Sequence, residues 1–288
     1  MQSTKKISNQ NLSNQNVYFR ISTYVALLLV AALILFPLYM VVIIAFKSSN
    51  EYLYSTLLSL PESFLYFDNF IKVINSGKIF LGFKNTIILV VFSVSLSILM
   101  GLMVSYVLNR FDFRFKKLVM VAFVSTAIIP NITTQVAVFQ VITALKLYNT
   151  IYAGILLYIA TDIIQIYFFL QYFRKIPKEL DESGMVDGAS YFRIFRSILV
   201  PQMVPAIVTM SIIKAITIYN DIFIPYLYMP SGDLRTVSTA LQSFQLLRGT
   251  EWTTMSAAIL FTLAPTLIVY IACQKIIISG LTEGAVKG

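Results

Sequence analysis

The sequence contains no histidine and a single cysteine, Cys273, among its 288 residues. These absences exclude disulfide bonds within the chain, zinc sites built from cysteine and histidine, and acid–base catalysis by histidine. Charged residues are also scarce, at 12% of the chain, whereas a soluble domain usually carries about 25%. By contrast, 58% of the residues are hydrophobic, and they stand in long uninterrupted runs. This composition is typical of a polytopic membrane protein.

Six of the apolar runs are long enough to cross a bilayer, which takes roughly 20 helical residues. We predict spans at Tyr24–Phe46, Asn85–Leu108, Leu118–Ile142, Ile151–Phe173, Val204–Tyr228 and Thr253–Ile278. The runs predict an all-α fold with one membrane domain at residues 21–288, preceded by a disordered, Asn- and Gln-rich tail at residues 1–20. Because this tail leads into a run of full spanning length, we expect a retained anchor and not a cleaved signal peptide.

The placement of lysine and arginine predicts the orientation of the chain. With the N-terminus in the cytoplasm, about twice as many basic residues flank the spans on the cytoplasmic side as on the external side. Both termini are therefore expected in the cytoplasm of a multi-pass cell-membrane protein, with external loops at residues 47–84 and 229–252 and a cytoplasmic tail at 279–288. The net charge of +9 thus serves orientation, and we expect no nucleic-acid partner.

Polar residues interrupt the third span, where Pro130 and Asn131 precede Gln135. Proline removes a helical hydrogen bond and clashes with the preceding turn, so it predicts a kink or a break. A break beside polar side chains suits a mobile, water-lined wall of a transport pathway. A static kink whose amides bond to neighbouring helices is the alternative.

The fourth and fifth spans carry ionisable residues, namely Asp162, Lys214 and Asp221. A charge at the centre of a span costs about 2.5 to 3.5 kcal/mol on insertion scales, so such groups face protein or water. We therefore expect a translocation cavity or gate formed by Asn131, Gln135, Asn220 and Asp221. Two alternatives stay open: purely structural pairing between helices, and an ion relay through Asp162, Lys214 and Asp221.

A polar segment of mixed charge, Glu179–Pro201, lies between the fourth and fifth spans. Its acidic residues at the start favour a helix N-terminus, and Gly188 predicts a turn because glycine accepts backbone angles that other residues resist. The apolar spacing from Tyr191 to Ile198 predicts a second, amphipathic helix. We expect a cytoplasmic helix–turn–helix whose apolar face packs against the membrane domain or a partner.

This segment resembles the EAA loop of binding-protein-dependent ABC importers, which couples the permease to its ATPase. The family's loop reads Glu-Ala-Ala, then three residues, then Gly, and ends near Leu-Pro. Here Glu182-Ser183-Gly184 replaces Glu-Ala-Ala and Val200-Pro201 replaces Leu-Pro, while the spacing is kept. Gly184 is expected to loosen its helix by about 1 kcal/mol relative to alanine.

Two further stretches narrow the resemblance to carbohydrate-uptake permeases. Tyr219–Pro225 is similar to their Trp-Asn-Asp/Glu-Phe-x-x-Pro stretch, with tyrosine in place of tryptophan. The terminal stretch Gly280–Gly288, which reads GLTEGAVKG, looks like the tail of the smaller permease subunit of maltose-type importers.

The resemblance implies the type I ABC importer permease fold, with six transmembrane helices and a cytoplasmic coupling helix between the fourth and fifth. It implies contact with an external binding protein at Ser231, Gly232 and Asp233. It also implies a set of ATPase-coupling residues: Glu182, Ser183, Gly184, Asp187, Gly188, Ala189, Pro201, Gly284 and Lys287.

The chain has no Gly-x-x-x-x-Gly-Lys-Ser/Thr sequence, so we expect no catalytic residues, no metal and no cofactor in this chain, with ATP and Mg on a separate polypeptide. The resemblance implies four kinds of partner: a second permease subunit, two ATP-binding subunits, an external sugar-binding protein and the lipid bilayer. The expected function is the import of a sugar, in particular an oligosaccharide, by alternating access. Alternatives are a permease for glycerol phosphate or another polar solute, an ion-coupled secondary transporter, and a membrane-embedded enzyme.

Overall fold

A computed structural model describes the backbone of residues 2–246 and 249–285, and the side chains of residues 19–130, 132–244, 251–272 and 274. The helices are α1 (Gln2–Ala45), α2 (Ser49–Tyr54), α3 (Asp68–Asn75), α4 (Lys78–Arg110), α5 (Lys116–Ile128), α6 (Asn131–Ala144), α7 (Ile151–Ile159), α8 (Ile163–Lys175), α9 (Glu179–Val186), α10 (Tyr191–Ile194), α11 (Val200–Gln202), α12 (Val204–Asn220), α13 (Phe223–Tyr228), α14 (Val237–Gln242) and α15 (Trp252–Ala285). A π-helical stretch, Phe195–Leu199, joins α10 to α11, and a 3₁₀ turn, Gly232–Leu234, precedes α14. Strands β1 (Gln245–Leu246) and β2 (Gly249–Thr250) form a two-stranded ladder.

Three helical segments in the described part of the chain are long and apolar enough to span a membrane: Phe19–Ala45, Lys78–Arg110 and Trp252–Ala272. Three bent helix pairs also qualify, namely Lys116–Ile128 with Ile132–Ala144, Ile151–Ile159 with Ile163–Lys175, and Tyr191–Gln202 with Val204–Asn220. With each pair counted as one span, the total is six. The predicted all-α fold is confirmed.

The third and fourth predicted spans are broken. In the third, Pro130 stands at the N-cap of α6, where its missing N–H is not needed, and the axes of the two helices differ by 110°. The predicted interruption is present, and it turns the chain much more sharply than a kink. The fourth span bends by 46° between α7 and α8, a break that we did not predict because neither proline nor glycine marks it.

The first and last helices extend beyond the predicted spans. α1 begins at Gln2, so the residues expected to form a disordered tail belong to this helix. Neither glycine nor proline occurs before the first span, and nothing in the sequence therefore ends the helix there. At the other end, α15 continues past the predicted end of the sixth span, Ile278, to Ala285.

The chain divides into two compact units, residues 1–73 with 246–261, and residues 74–245 with 262–288. The predicted permease domain, residues 21–288, includes parts of both. In the first unit, Phe46 packs against Phe64, Phe67 and Phe70, with ring centroids 5.7, 5.8 and 5.2 Å away. The buried Asn69 amide donates to the carbonyl oxygens of residues 45 and 47, at 2.9 and 2.8 Å. These contacts fold the first loop against the end of α1.

In the second unit, α4 lies at the centre and packs against α7, α8, α12 and α14. Small residues on α4 allow close approach to α8: a Cβ atom added at Gly101 would lie 2.6 Å from Gln165 Nε2. The buried Gln165 amide donates to Ser97 O at 2.9 Å and accepts from Ser97 Oγ at 3.2 Å. Side-chain packing and buried hydrogen bonds therefore fix α8, and through it the segment that follows α8.

Candidate coupling segment and translocation residues

The segment from Glu179 to Gln202, which we call the coupling segment, forms the predicted helix–turn–helix. It consists of α9, a turn at residues 187–190, and a second helical stretch made of α10, the π-helical stretch and α11. Ser190 begins the second helix, since its Oγ accepts from Arg193 N at 3.3 Å. The second helix leads into α12 through a 76° bend.

Gly184 lies where the two helices of the coupling segment cross. It is buried, and a Cβ atom at this position would lie 3.0 Å from Ile194 Cγ1 and 3.0 Å from Ile198 Cδ1. We expected this glycine to loosen α9. The structure gives it a further effect, because the missing side chain lets α9 approach the second helix closely.

Gly188 forms the turn for a different reason. Its φ angle is +78°, in the left-handed region that residues with a Cβ rarely adopt. No heavy atom lies within 4 Å of a Cβ atom built there, so the space itself is open. The backbone conformation, and not a close neighbour, therefore favours glycine at this position.

A buried ion pair joins the coupling segment to the end of α4. Arg110 Nε lies 2.5 Å from Asp181 Oδ2, and the two side chains are only 6% and 9% exposed. Arg110 also donates from Nη2 to Ile176 O at 3.0 Å. Burial raises the pKa of the Asp181 carboxyl, and the Arg110 guanidinium offsets only part of that rise. Sequence reasoning missed this pair, whose only signal was a basic residue after one span and an acidic residue opposite it in the next cytoplasmic segment.

The remaining predicted coupling residues lie mostly at the surface. Glu182, Ser183, Asp187, Gly188 and Pro201 are exposed, and Ala189 is half-buried. Large apolar side chains beside them are exposed too: Val186 at 87%, Phe192 at 64% and Tyr191 at 53%. Exposed apolar side chains among polar ones are typical of a surface that binds another protein.

Two of the residues predicted for the cavity or gate, Gln135 and Asp221, each bond to a tyrosine of another helix. Gln135 Oε1 accepts from Tyr228 Oη at 2.6 Å, and Tyr228 is fully buried. Asp221 Oδ2 accepts from Tyr158 Oη at 2.8 Å. These two bonds fit the structural-pairing alternative. The side chain of Asn131, the surroundings of Gly284 and the whole of Lys287 lie outside what the structure describes.

Asn220 faces a cleft of about 500 Å³ lined by α4, α12 and α15. The lining is almost wholly apolar, with Ile87, Val90, Ile216 and Leu267 among its members. An apolar wall offers a sugar few hydrogen-bond partners, so this cleft suits an apolar helix or acyl chain better than a polar solute. The gate role of Asn220 and its neighbours stays a prediction.

The charged residues considered for an ion relay each bond to a helix end. Asp162 Oδ1 accepts from Gln165 N at 2.8 Å and so caps α8, while Lys214 Nζ donates to Ala160 O at 2.9 Å, beyond the end of α7. Asp221 Oδ1 accepts from Phe223 N at 2.7 Å at the start of α13. These hydrogen bonds give all three residues a structural reason to lie within spans.

The residues predicted to touch a binding protein lie in the loop before α14. Gly232 and Asp233 are exposed, and Ser231 N donates to Asn149 Oδ1 at 2.9 Å. The Asn85 amide of α4 donates to Asp233 O at 2.8 Å and to Arg235 O at 2.9 Å. The loop is therefore anchored to the start of α4 while its tip stays accessible.

Residues 95–282, which include the coupling segment and the break between α7 and α8, match the family described as the binding-protein-dependent transport system inner membrane component. The chain belongs to this family. The resemblance noted from the coupling segment is thereby confirmed, and the chain is an integral, multi-pass permease of the cell membrane. Permease subunits of this family are not themselves catalytic.

Curated relatives of this permease match along nearly their whole length. It is 31% identical over 268 residues to the probable ABC transporter permease protein YurM of Bacillus subtilis, covering 93% of this chain and 88% of the relative. It is 28% identical over 278 residues to the arabinooligosaccharides transport system permease protein AraQ of the same organism, covering 96% and 99%. It is 27% identical over 278 residues to the trehalose/maltose transport system permease protein MalG of Thermococcus litoralis, covering 95% and 99%.

A solved structure shows the same fold. The crystal structure of a bacterial ABC transporter involved in the import of the acidic polysaccharide alginate superposes with a TM-score of 0.80. The match covers 89% of this permease and 95% of that chain, at 21% sequence identity. The predicted type I permease fold is confirmed.

Proposed function

We propose that this permease is one half of a heterodimeric ABC importer that moves a sugar, in particular an oligosaccharide, into the cytoplasm. Its partners are a second permease subunit, two ATP-binding subunits that hold ATP and Mg, and an external sugar-binding protein. Both termini lie in the cytoplasm. The permease performs no covalent chemistry and binds no cofactor, and it alternates between inward-facing and outward-facing states.

The names of the relatives support a carbohydrate cargo. AraQ transports arabinooligosaccharides by its name, the Thermococcus MalG trehalose and maltose, and MelC of Bacillus subtilis melibiose, raffinose and stachyose. These proteins match this permease over 88% to 96% of its length, so they share the parts that build the pathway as well as the coupling segment. Carbohydrates are the substrates common to them, and all of those named are disaccharides or longer oligosaccharides.

The observation that carries the coupling role is the exposed face of the coupling segment. Val186, Tyr191 and Phe192 stand out from it beside acidic residues, and a separate subunit can cover them. The ATPase would bind there, because the chain itself has no phosphate-binding loop. Docking of amphipathic surface elements into grooves is a common mode of subunit recognition.

The Arg110–Asp181 ion pair and the packing at Gly184 explain how a push on this segment reaches the spans. Asp181 ties α9 to the end of α4, and Gly184 lets α9 lie directly on the second helix. When ATP binding closes the ATPases, the segment moves with them as a unit. α4 follows because the ion pair joins it to the segment, and α12 follows because it continues the chain from the segment.

Reconstitution of the complete importer in proteoliposomes tests the proposal. We expect uptake of radiolabelled oligosaccharides that needs internal ATP and the external binding protein and stops when an ATPase subunit defective in hydrolysis is used. Uptake that survives ATP depletion but is abolished by a protonophore would show an ion-coupled transporter. A panel that includes glycerol phosphate decides the cargo, and uptake of that solute alone would contradict the sugar assignment.

A further inference from the structure

The fourth span is broken between α7 and α8, and the predicted fifth span, Val204–Tyr228, is interrupted between α12, which ends at Asn220, and α13, which begins at Phe223. The helices at these two breaks exchange hydrogen bonds. Tyr158, in the last turn of α7, donates from Oη to Asp221 Oδ2 at 2.8 Å, beyond the end of α12. In the other direction, Lys214 of α12 donates from Nζ to Ala160 O at 2.9 Å, beyond the end of α7. Each helix therefore contacts the break of the other. We call these two hydrogen bonds the α7–α12 clasp.

The Lys214 bond satisfies a carbonyl oxygen that the helix break leaves without a partner. The last carbonyls of a helix have no intrahelical donor, and a cation near them is favoured by the helix dipole. The Lys214 ammonium supplies both at the end of α7. The end of α7 is thus tied to α12.

Asp221 joins three helices in the same way. One carboxylate oxygen accepts from Tyr158 of α7, and the other accepts from Phe223 N and Ile224 N of α13, at 2.7 and 3.3 Å. Tyr158 is only 5% exposed and belongs to the main hydrophobic core. Its hydroxyl is therefore held by a rigid surrounding, and a rotation of α7 moves Asp221 and the start of α13 with it.

Resting on the proposed function, we propose that the clasp makes the two breaks one hinge, so that the fourth and fifth spans bend together during transport. Hinges are a few residues at element ends that absorb a change in backbone angles, and both breaks have this form. Tyr158 and Lys214 are positioning residues, because they act on the breaks and not on the sugar. In the proposed function, the coupling segment joins α8 to α12 and would move the cytoplasmic ends of the fourth and fifth spans. The clasp would pass that motion between them.

The test uses the complete importer in proteoliposomes and measures ATP hydrolysed per sugar imported. Tyr158→Phe removes one hydroxyl, and Lys214→Met removes the ammonium while it keeps most of the side-chain volume. We expect each variant to raise the ratio roughly fivefold, the effect of one lost hydrogen bond of ordinary strength. Either change alone should stop the two breaks from moving together. The double variant should therefore raise the ratio of ATP hydrolysed to sugar imported no further than the worse single variant.

Two controls separate a hinge from a static brace. Tyr152→Phe changes a tyrosine of the same helix that is 65% exposed, and it should leave the ratio unchanged. Lys214→Arg keeps a donor that reaches the carbonyl oxygen, and it should restore most of the coupling. A static brace would instead lower the melting temperature and reduce uptake and ATP hydrolysis in parallel, with an unchanged ratio.

An unchanged ratio in Tyr158→Phe, or effects of the two changes that multiply in the double variant, would overturn the clasp. If the importer that carries Lys214→Met does not assemble, the result of Tyr158→Phe decides alone, since this substitution removes only one hydroxyl group. If the wild-type importer takes up sugar with ATP and the variants behave like the wild type, only the clasp is overturned. Wild-type importer that shows no ATP-driven uptake overturns the proposed function, and the clasp with it.

Discussion

Removing the Arg110 side chain, at the end of α4, should disable the coupling segment more than truncation of any single residue within the segment. Arg110→Met keeps an unbranched apolar stem of similar length but removes the guanidinium beside Asp181. The carboxylate would then be buried, at 9% side-chain exposure, without its ion partner. Asp181 Oδ1 already has no hydrogen-bond partner among the described residues, so only Oδ2 holds the charge in place.

The size of the loss follows from this burial. Removing one partner of a buried ion pair costs about 3 to 5 kcal/mol, because an uncompensated charge stays behind. Asp181→Asn should cost less, since it leaves no buried anion and Arg110 still donates to Ile176 O. The double variant should recover much of the Arg110→Met loss, because no buried charge remains in it.

The assay is thermal unfolding of the purified importer, together with ATP-driven uptake, as a function of pH. Burial raises the pKa of Asp181, and in Arg110→Met the guanidinium no longer offsets that rise. A carboxyl whose pKa is raised in the folded state favours folding in its neutral form, so the defect should shrink as the pH falls from neutral toward that raised pKa. Lys178 and Glu182 also act on this carboxyl, with opposite signs.

Two results would refute this reasoning. Equal losses in Arg110→Met and Asp181→Asn would show that the buried charge does not determine the cost. A defect in Arg110→Met that stays constant or grows as the pH falls would show that the carboxyl is not the group left unpaired.

Two further predictions concern local structure. Replacement of Gly188 by valine should destabilise the coupling segment by about 1 to 2 kcal/mol and reduce the uptake per ATP. Gly188→Asn should retain more activity, because asparagine tolerates positive φ. The reverse order of the two variants in the uptake assay would contradict the conformational explanation. Asn69→Ala should lower the stability of the first unit by about 1 to 3 kcal/mol, because two buried carbonyl oxygens lose their donor. The melting temperature of this variant should be lower than that of Asn75→Ala, which changes an exposed residue of α3.

The sequence was most informative about local features, which depend on hydrophobic composition and on the positions of glycine and proline. Long apolar runs predicted the spans, and the two-helix coupling segment followed from its acidic start, its central glycine and the apolar spacing after it. Pro130 marked the break in the third span because proline acts on its own backbone. Gly188 was predicted as a turn for the same reason, and its φ of +78° agrees.

What the sequence did not predict depends on distant partners. The break after Ile159 has no proline or glycine, and it exists because Asp162 caps α8 and Lys214 supplies a donor from another helix. The pairing of Arg110 with Asp181 joins residues far apart in the chain. Polar side chains that suggest a transport pathway in the sequence, such as Gln135 and Asp221, form hydrogen bonds to neighbouring helices in the structure.

In the proposed importer, a separate ATPase binds the exposed face of the coupling segment in the cytoplasm. The most direct measurement is site-specific cross-linking from Val186→Cys, which is 87% exposed, in a Cys273→Ser background. We predict a cross-link to the ATP-binding subunit whose yield changes when ATP binds, together with no labelling of this cysteine by a membrane-impermeant maleimide added outside intact cells. Labelling from outside, or no cross-link to the ATPase in an importer that transports sugar, would contradict the account.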